Sequence, residues 1–186
     1  MKIGILLGSF DPIHIGHIAI VSKVLNDGLV DKVLFLPAVQ NPWKHRKAVS
    51  VDLRADMIRG AMYESGFKRD QFYVEIVSKE NKDGNYYTFD QLEALKNLYT
   101  GDIEFVILGG TDTVNDMSKW YRGEKLLKNW KVVEISRPGF SSEISDMSIT
   151  VSSSAIRNLL RYNKIPLPWI TKGTWEIIKK RKLYRD

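Results

Sequence analysis

The chain has no cysteine among its 186 residues. That absence excludes disulfides, thiolate nucleophiles and cysteine-held zinc. No apolar run approaches the ~20 residues needed to cross a bilayer, so no membrane partner is expected. The first residues enter a strand-like run without the pattern of a secretory leader, and the cytoplasm is the expected location. Internal repeats, low-complexity tracts and linker-like composition shifts are also missing. The Ser/Gly-rich stretch 139–145 reads as a surface loop rather than a boundary. Hydrophobic residues make up 44% and charged residues 27%, an ordinary globular balance. At this length one domain over 1–186 is expected, long enough to bury roughly two-thirds of its unfolded surface.

Acidic residues are in the minority, 22 against 28 Lys and Arg, for a net charge of +6. The basic excess gathers at Lys179-Lys180-Arg181-Lys182 and at 44–47. Binding to polyanions, nucleic acid included, is one reading of such clusters. For 179–182 the other reading is stronger: cations in the last turn of a helix oppose its negative end.

Apolar or β-branched runs recur at 3–7, 32–36, 72–77, 103–108 and 131–135. Helical spacing fills the intervals at 18–25, 53–63, 89–98 and 113–127, and again at 153–162 and 171–180. This alternation predicts an α/β fold, a doubly wound parallel sheet of Rossmann type with a helical C-terminal part. Thr88 and Gln91 have the spacing of a capping box, which predicts a helix start there.

Between the first strand and the first helix stands Gly8-Ser9-Phe10-Asp11-Pro12-Ile13-His14-Ile15-Gly16-His17. Strand-to-helix junctions of open α/β sheets bind anions, through free backbone N–H groups and the helix dipole. Two histidines three apart add donors, or positive charge, for a phosphate undergoing reaction. Near the other end, Val151-Ser152-Ser153-Ser154-Ala155-Ile156-Arg157 repeats the idea. A β-branched stretch ends in three serines able to cap a helix, with a guanidinium one turn in.

His14-Ile15-Gly16-His17 resembles the HxGH signature of the nucleotidyltransferase superfamily, and Ser152-Ser153-Ser154 with Arg157 is similar to its ISSTxIR signature. The middle of the chain resembles, more narrowly, the bacterial-type nicotinate mononucleotide adenylyltransferases of NAD synthesis. Pro42-Trp43-Lys44 stands where they carry a PPHK-like segment, with Trp43 replacing histidine and His45 following. Tyr86-Tyr87-Thr88-Phe89-Asp90-Gln91-Leu92 looks like SYTxDTL, Tyr86 replacing serine. Gly109-Gly110-Thr111-Asp112 matches GxD, Lys119-Trp120-Tyr121 contains the tryptophan that stacks on the pyridine, and Arg137-Pro138-Gly139-Phe140 looks like RPGY. Asp52-Leu53-Arg54 matches a helix start that reads as structural. Pro168-Trp169-Ile170 and Leu183-Tyr184-Arg185 are similar to the family's C-terminus.

The resemblance implies adenylyl transfer from ATP to nicotinate mononucleotide, with Mg²⁺ accompanying ATP and no metal bound by the protein itself. It assigns catalysis to His14, His17, Lys44 and Arg157. ATP binding falls to Gly8, Ser9, Phe10, His14, His17, Gly109, Asp112, Arg137, Ser152, Ser153, Ser154 and Arg157. Acceptor binding falls to Lys44, Tyr87, Thr88 and Trp120. A helix N-terminus prefers a carboxylate to a neutral amide, which suits nicotinate better than nicotinamide. Nicotinamide mononucleotide and pantetheine phosphate remain as other acceptors, the latter disfavoured because it offers no ring to stack. A different class, a non-catalytic nucleotide- or nucleic-acid-binding protein, has no need of paired histidines. Aminoacyl-tRNA synthetases also use a HIGH sequence but need a far larger chain. The expected partners are therefore ATP and a pyridine mononucleotide, not nucleic acid, with a homo-oligomer left open.

Overall fold

The computed structural model describes residues 1–40, 48–135 and 151–185. Five strands form one sheet: β1 (Lys2–Gly8), β2 (Lys32–Pro37), β3 (Phe72–Val74), β4 (Glu104–Gly110) and β5 (Lys131–Ile135). Their order is β3-β2-β1-β4-β5, and every pairing is parallel. The helices are α1 (Ile15–Asn26), α2 (Val51–Glu64), α3 (Thr88–Lys96), α4 (Thr111–Met117), α5 (Gly123–Asn129), α6 (Ser153–Arg161) and α7 (Lys172–Arg181). The expected α/β class and Rossmann-type sheet are what the chain adopts.

Both faces of the sheet are covered, which is why its strands read as nearly continuous apolar runs. Alternate residues of each strand go to opposite sides. Leu6, Val33, Phe35, Val106 and Leu108 pack beneath α1, α2, α6 and α7. Ile3, Ile5, Leu34, Leu36 and Ile107 pack beneath α3, α4 and α5.

Two expected elements differ. The strand expected over 72–77 pairs only as far as Val74, which sits opposite Phe35. Two residues further along β2 comes Pro37, which has no N–H to extend the ladder. The single helix expected over 113–127 is two, α4 and α5. Arg122 stands between them in the left-handed region at φ 54°, and a Cβ on Gly123 would collide with the Met117 carbonyl oxygen. The chain therefore turns at that point rather than continuing in α-helix.

The order of strands reverses at β1, whose neighbours are β2 and β4. Connections leave the carboxyl ends of β1 and β4 toward opposite faces, opening a crevice between them.

Candidate active site

The crevice is built by four segments drawn from distant parts of the chain. The loop of residues 9–14 leaves β1 with Phe10 in the left-handed region, at φ 47°. Its ring points down into the core, 1% exposed, and meets Phe35 and His17 edge-on at 5.4 and 4.9 Å. A Cβ on Gly8 would lie 2.9 Å from the Phe10 ring, so the preceding glycine makes room for it. The Phe10 side chain thus supports the site from below.

His14 is the N-cap of α1, and His17 is the third residue of its first turn. The backbone N–H of His14 donates to His17 Nδ1 at 3.2 Å. With Nδ1 accepting, the proton of a neutral His17 belongs on Nε2, which makes that atom the donor. The two imidazoles stack with centroids 3.7 Å apart. Gly16 permits this, since a Cβ there would lie 3.0 Å from His14 Nδ1 and 3.4 Å from Val151 Cγ1.

That approach to Val151 brings the start of α6 against the start of α1. Ser152 caps α6, its Oγ accepting the Ala155 N–H at 3.1 Å. Ser153 Oγ donates to the Pro12 carbonyl at 2.9 Å. Arg157 donates from Nη1 to the Asp11 carbonyl at 2.6 Å and from Nη2 to Ser154 Oγ at 2.9 Å. Two motifs separated by some 140 residues of sequence are therefore in direct contact. Two helix N-termini and a guanidinium at one place make a strong anion site.

Two further residues shape this site by holding its loop. Arg54, fully buried in α2, donates to four carbonyls: Ser9 at 2.5 Å, Val49 at 2.7 Å, Ala38 at 2.8 Å and Val39 at 3.3 Å. It ties the loop of residues 9–14 to the end of β2 and the start of α2, which bears out its structural reading. Asp11, 2% exposed, receives the Tyr184 phenol at 2.7 Å and the Val49 N–H at 3.4 Å.

Tyr87 is the N-cap of α3 and Thr88 its first residue. The expected capping box at Thr88 and Gln91 does not form, because the cap falls one residue earlier. Gln91 instead turns inward, 3% exposed, with its Nε2 lacking an acceptor. Tyr87 stacks on Tyr121 at 4.1 Å and 18°, joining the start of α3 to the connection between α4 and α5. Trp120, half-buried, stands next to Tyr121 in that connection. Arg122 lies over the rings of Tyr121 and Phe89, at 5.0 and 5.4 Å, and 3.8 Å from Asp90. The Tyr87 phenol donates to Asp83 at 2.8 Å, and this bond raises the phenol's pKa above its ordinary value.

Gly109 and Gly110 end β4, and Gly110 caps α4. A Cβ on Gly109 would lie 3.0 Å from Val114 Cγ2, so this glycine lets α4 fold back closely. Asp112 is the second residue of α4, and its side chain lies outside the described residues, as do Lys44 and Arg137 entirely. Among the described residues no three His, Asp or Glu side chains converge on a metal position. No helix among them is long and apolar enough to cross a membrane.

A family model described as cytidylyltransferase-like matches residues 5–159. A probable nicotinate-nucleotide adenylyltransferase of Carboxydothermus hydrogenoformans is 36% identical, over 99% of this chain and 98% of the relative. One from Thermus thermophilus is 30% identical, over 100% of both chains. Among solved structures, Plasmodium falciparum nicotinic acid mononucleotide adenylyltransferase complexed with NaAD shares the fold. Its TM-score is 0.82 at 22% identity, over 98% of this chain and 97% of that one.

Proposed function

The chain belongs to the cytidylyltransferase-like family and, within it, to the nicotinate-nucleotide adenylyltransferases, and from that premise we propose how its residues carry out the transfer. ATP, as its Mg²⁺ complex, and nicotinate mononucleotide are the substrates, and nicotinate adenine dinucleotide and pyrophosphate the products. A phosphate oxygen of the mononucleotide attacks the α-phosphorus of ATP in line. The new P–O bond forms as the bond to the β-phosphate oxygen breaks, and pyrophosphate leaves with that electron pair. No protein nucleophile is required, so the residues act by positioning and by offsetting charge on the phosphorus oxygens.

The observation that carries this reading is the docking of the loop leading into the stacked His14 and His17 against the start of α6, with Ser153 on the Pro12 carbonyl and Arg157 on the Asp11 carbonyl. His14 and His17 serve the α-phosphate and the bridging oxygen, with His17 donating from Nε2. Ser152, Ser153, Ser154 and Arg157 serve the β- and γ-phosphates. Gly8, Ser9 and the Phe10 backbone border the nucleotide. Lys44 is assigned to the transferring phosphates, Asp112 and Gly109 to the ribose side, and Arg137 to the adenine. On this reading Mg²⁺ would arrive with ATP, held by its phosphate oxygens. The reading keeps the chain as one nucleotidyltransferase domain in the cytoplasm.

The acceptor half falls to Tyr87, Thr88 and Trp120, with the pyridine carboxylate at the start of α3. One charge-assisted contact contributes about 1.5–3 kcal/mol. We therefore expect kcat/KM to favour nicotinate over nicotinamide mononucleotide by roughly tenfold to a hundredfold. Coupled pyrophosphate release with each acceptor measures this. Equal rates would remove the carboxylate from the α3 N-terminus, and no turnover with either would remove the adenylyl-transfer reading.

Gly16→Ala gives a finer check on the histidine pair. A methyl 3.0 Å from His14 Nδ1 must push the imidazole aside. We expect kcat to fall about tenfold, a displacement effect, with a melting temperature close to that of the parent. Unchanged kcat would show that the ring position does not matter.

A further inference from the structure

We infer that Tyr184 is a positioning residue for the transfer step, its phenol holding Asp11 and so fixing the loop that carries the histidines and docks Arg157. Every backbone carbonyl of this loop discussed so far is gripped from a distant segment. Arg54 holds Ser9, Arg157 holds Asp11, and Ser153 holds Pro12. The loop's one acidic side chain, Asp11, is 2% exposed. A buried carboxylate is stable only with donors on its oxygens. Val49 N–H supplies one at 3.4 Å, and the Tyr184 phenol supplies the shorter one at 2.7 Å.

Reaching that position strains the backbone at both ends of the contact. After α7, Lys182 and Tyr184 both take the left-handed region, at φ 50° and 62°. Phe10, beside Asp11, does the same at φ 47°. The left-handed region is unfavourable for any residue with a Cβ. Residues held in it gather where a particular placement is needed. Asp11 is held at both ends, by its carboxyl to Tyr184 and Val49 and by its carbonyl to Arg157. Removing the phenol takes away the shorter of these two carboxylate contacts, and the loosened residue carries with it both Arg157 and His14, the N-cap of α1, three residues on.

The test compares the full wild-type chain with Tyr184→Phe, which keeps the buried ring and removes only the hydroxyl. Ile178→Val, a core change in α7, serves as the control for lost stability alone. The kinetic half rests on the proposed adenylyl transfer; amide exchange over residues 9–17 needs no turnover. For Tyr184→Phe we expect kcat about tenfold lower, KM for the pyridine mononucleotide within about twofold, and exchange over 9–17 roughly tenfold faster. Ile178→Val should lower the melting temperature while leaving kcat and this exchange unchanged. Asp11→Asn combined with Tyr184→Phe should be no slower than the slower single variant, because both remove one contact. If Tyr184→Phe shifts only the melting temperature, as Ile178→Val does, Tyr184 is a packing residue and the inference fails. Should the wild-type chain adenylate no pyridine mononucleotide, the reaction reading fails separately. Exchange over 9–17 then decides the Tyr184 assignment alone, and unchanged protection overturns it.

Discussion

His17→Ala should lower kcat for dinucleotide formation by about 10²–10⁴, the range for a positioned proton donor or an oxyanion donor, while the fold persists. The imidazole stands in the first turn of α1, and its Nδ1 is occupied by the His14 N–H at 3.2 Å. That occupation leaves Nε2 as the proton-bearing nitrogen of a neutral imidazole, the donor the proposed role requires. The stability lost includes one hydrogen bond, one aromatic edge contact and the stack on His14, about 2–4 kcal/mol. Against a total of about 5–15 kcal/mol this leaves the chain folded. His17→Asn separates the two roles. An asparagine oxygen can accept the His14 N–H and restore the helix start, but it places no donor where Nε2 stood. Melting temperature should therefore recover in the asparagine variant and turnover should not. Steady-state pyrophosphate release and a thermal melt on the same samples measure both. Turnover of His17→Ala within threefold of the parent would defeat the assignment.

At Arg54 the expected effect is as large but falls first on stability. Four carbonyls from three segments converge on one buried guanidinium. Arg54→Met fills much of the same volume and leaves all of those carbonyls without their donor. Breaking a buried polar contact of this kind costs about 3–5 kcal/mol. In a chain of this size that is about 10 °C or more in melting temperature. Arg54→Lys should rescue little, since an ammonium is a point donor and the four oxygens need a planar fork. Activity falls with either variant, because Ser9 and the loop beyond it lose their anchor. A lysine variant melting within 2 °C of the parent would show that the fork geometry is unimportant.

The strands and the two phosphate motifs were legible because each leaves a local trace. Buried strands show as apolar runs, and strand-to-helix turns show as Gly, Ser, Asp and Pro at the ends of those runs. A doubly wound sheet then brings such turns to one edge, so the meeting of the loop before His14 with Ser153 and Arg157 follows from the fold class. What was not legible depends on distance. The Asp11–Tyr184 contact spans 173 residues, and nothing periodic in the sequence marks it. The Tyr87–Tyr121 stack is similar, joining two helix starts by shape alone. The break at Arg122 and Gly123 was hidden within a run of helical spacing, though the glycine was a sign of it. Arg54 left a clearer trace. It shares the buried stripe of α2 with Met57, Ile58 and Ala61, and a charge in an apolar stripe asks for a buried partner set.

The five-stranded sheet also divides labour. The loop of residues 9–14, α1, α2 and α6, to which the phosphate chemistry is assigned in the proposed reaction, pack on one face, while α3 and the α4–α5 connection carry the Tyr87–Tyr121 pair on the other. The backbone layer between them belongs to neither set of side chains. Changes on opposite sides should combine additively. A lineage of such chains is thereby free to rework what it accepts, one substitution at a time, without reopening the question of how it joins two phosphates.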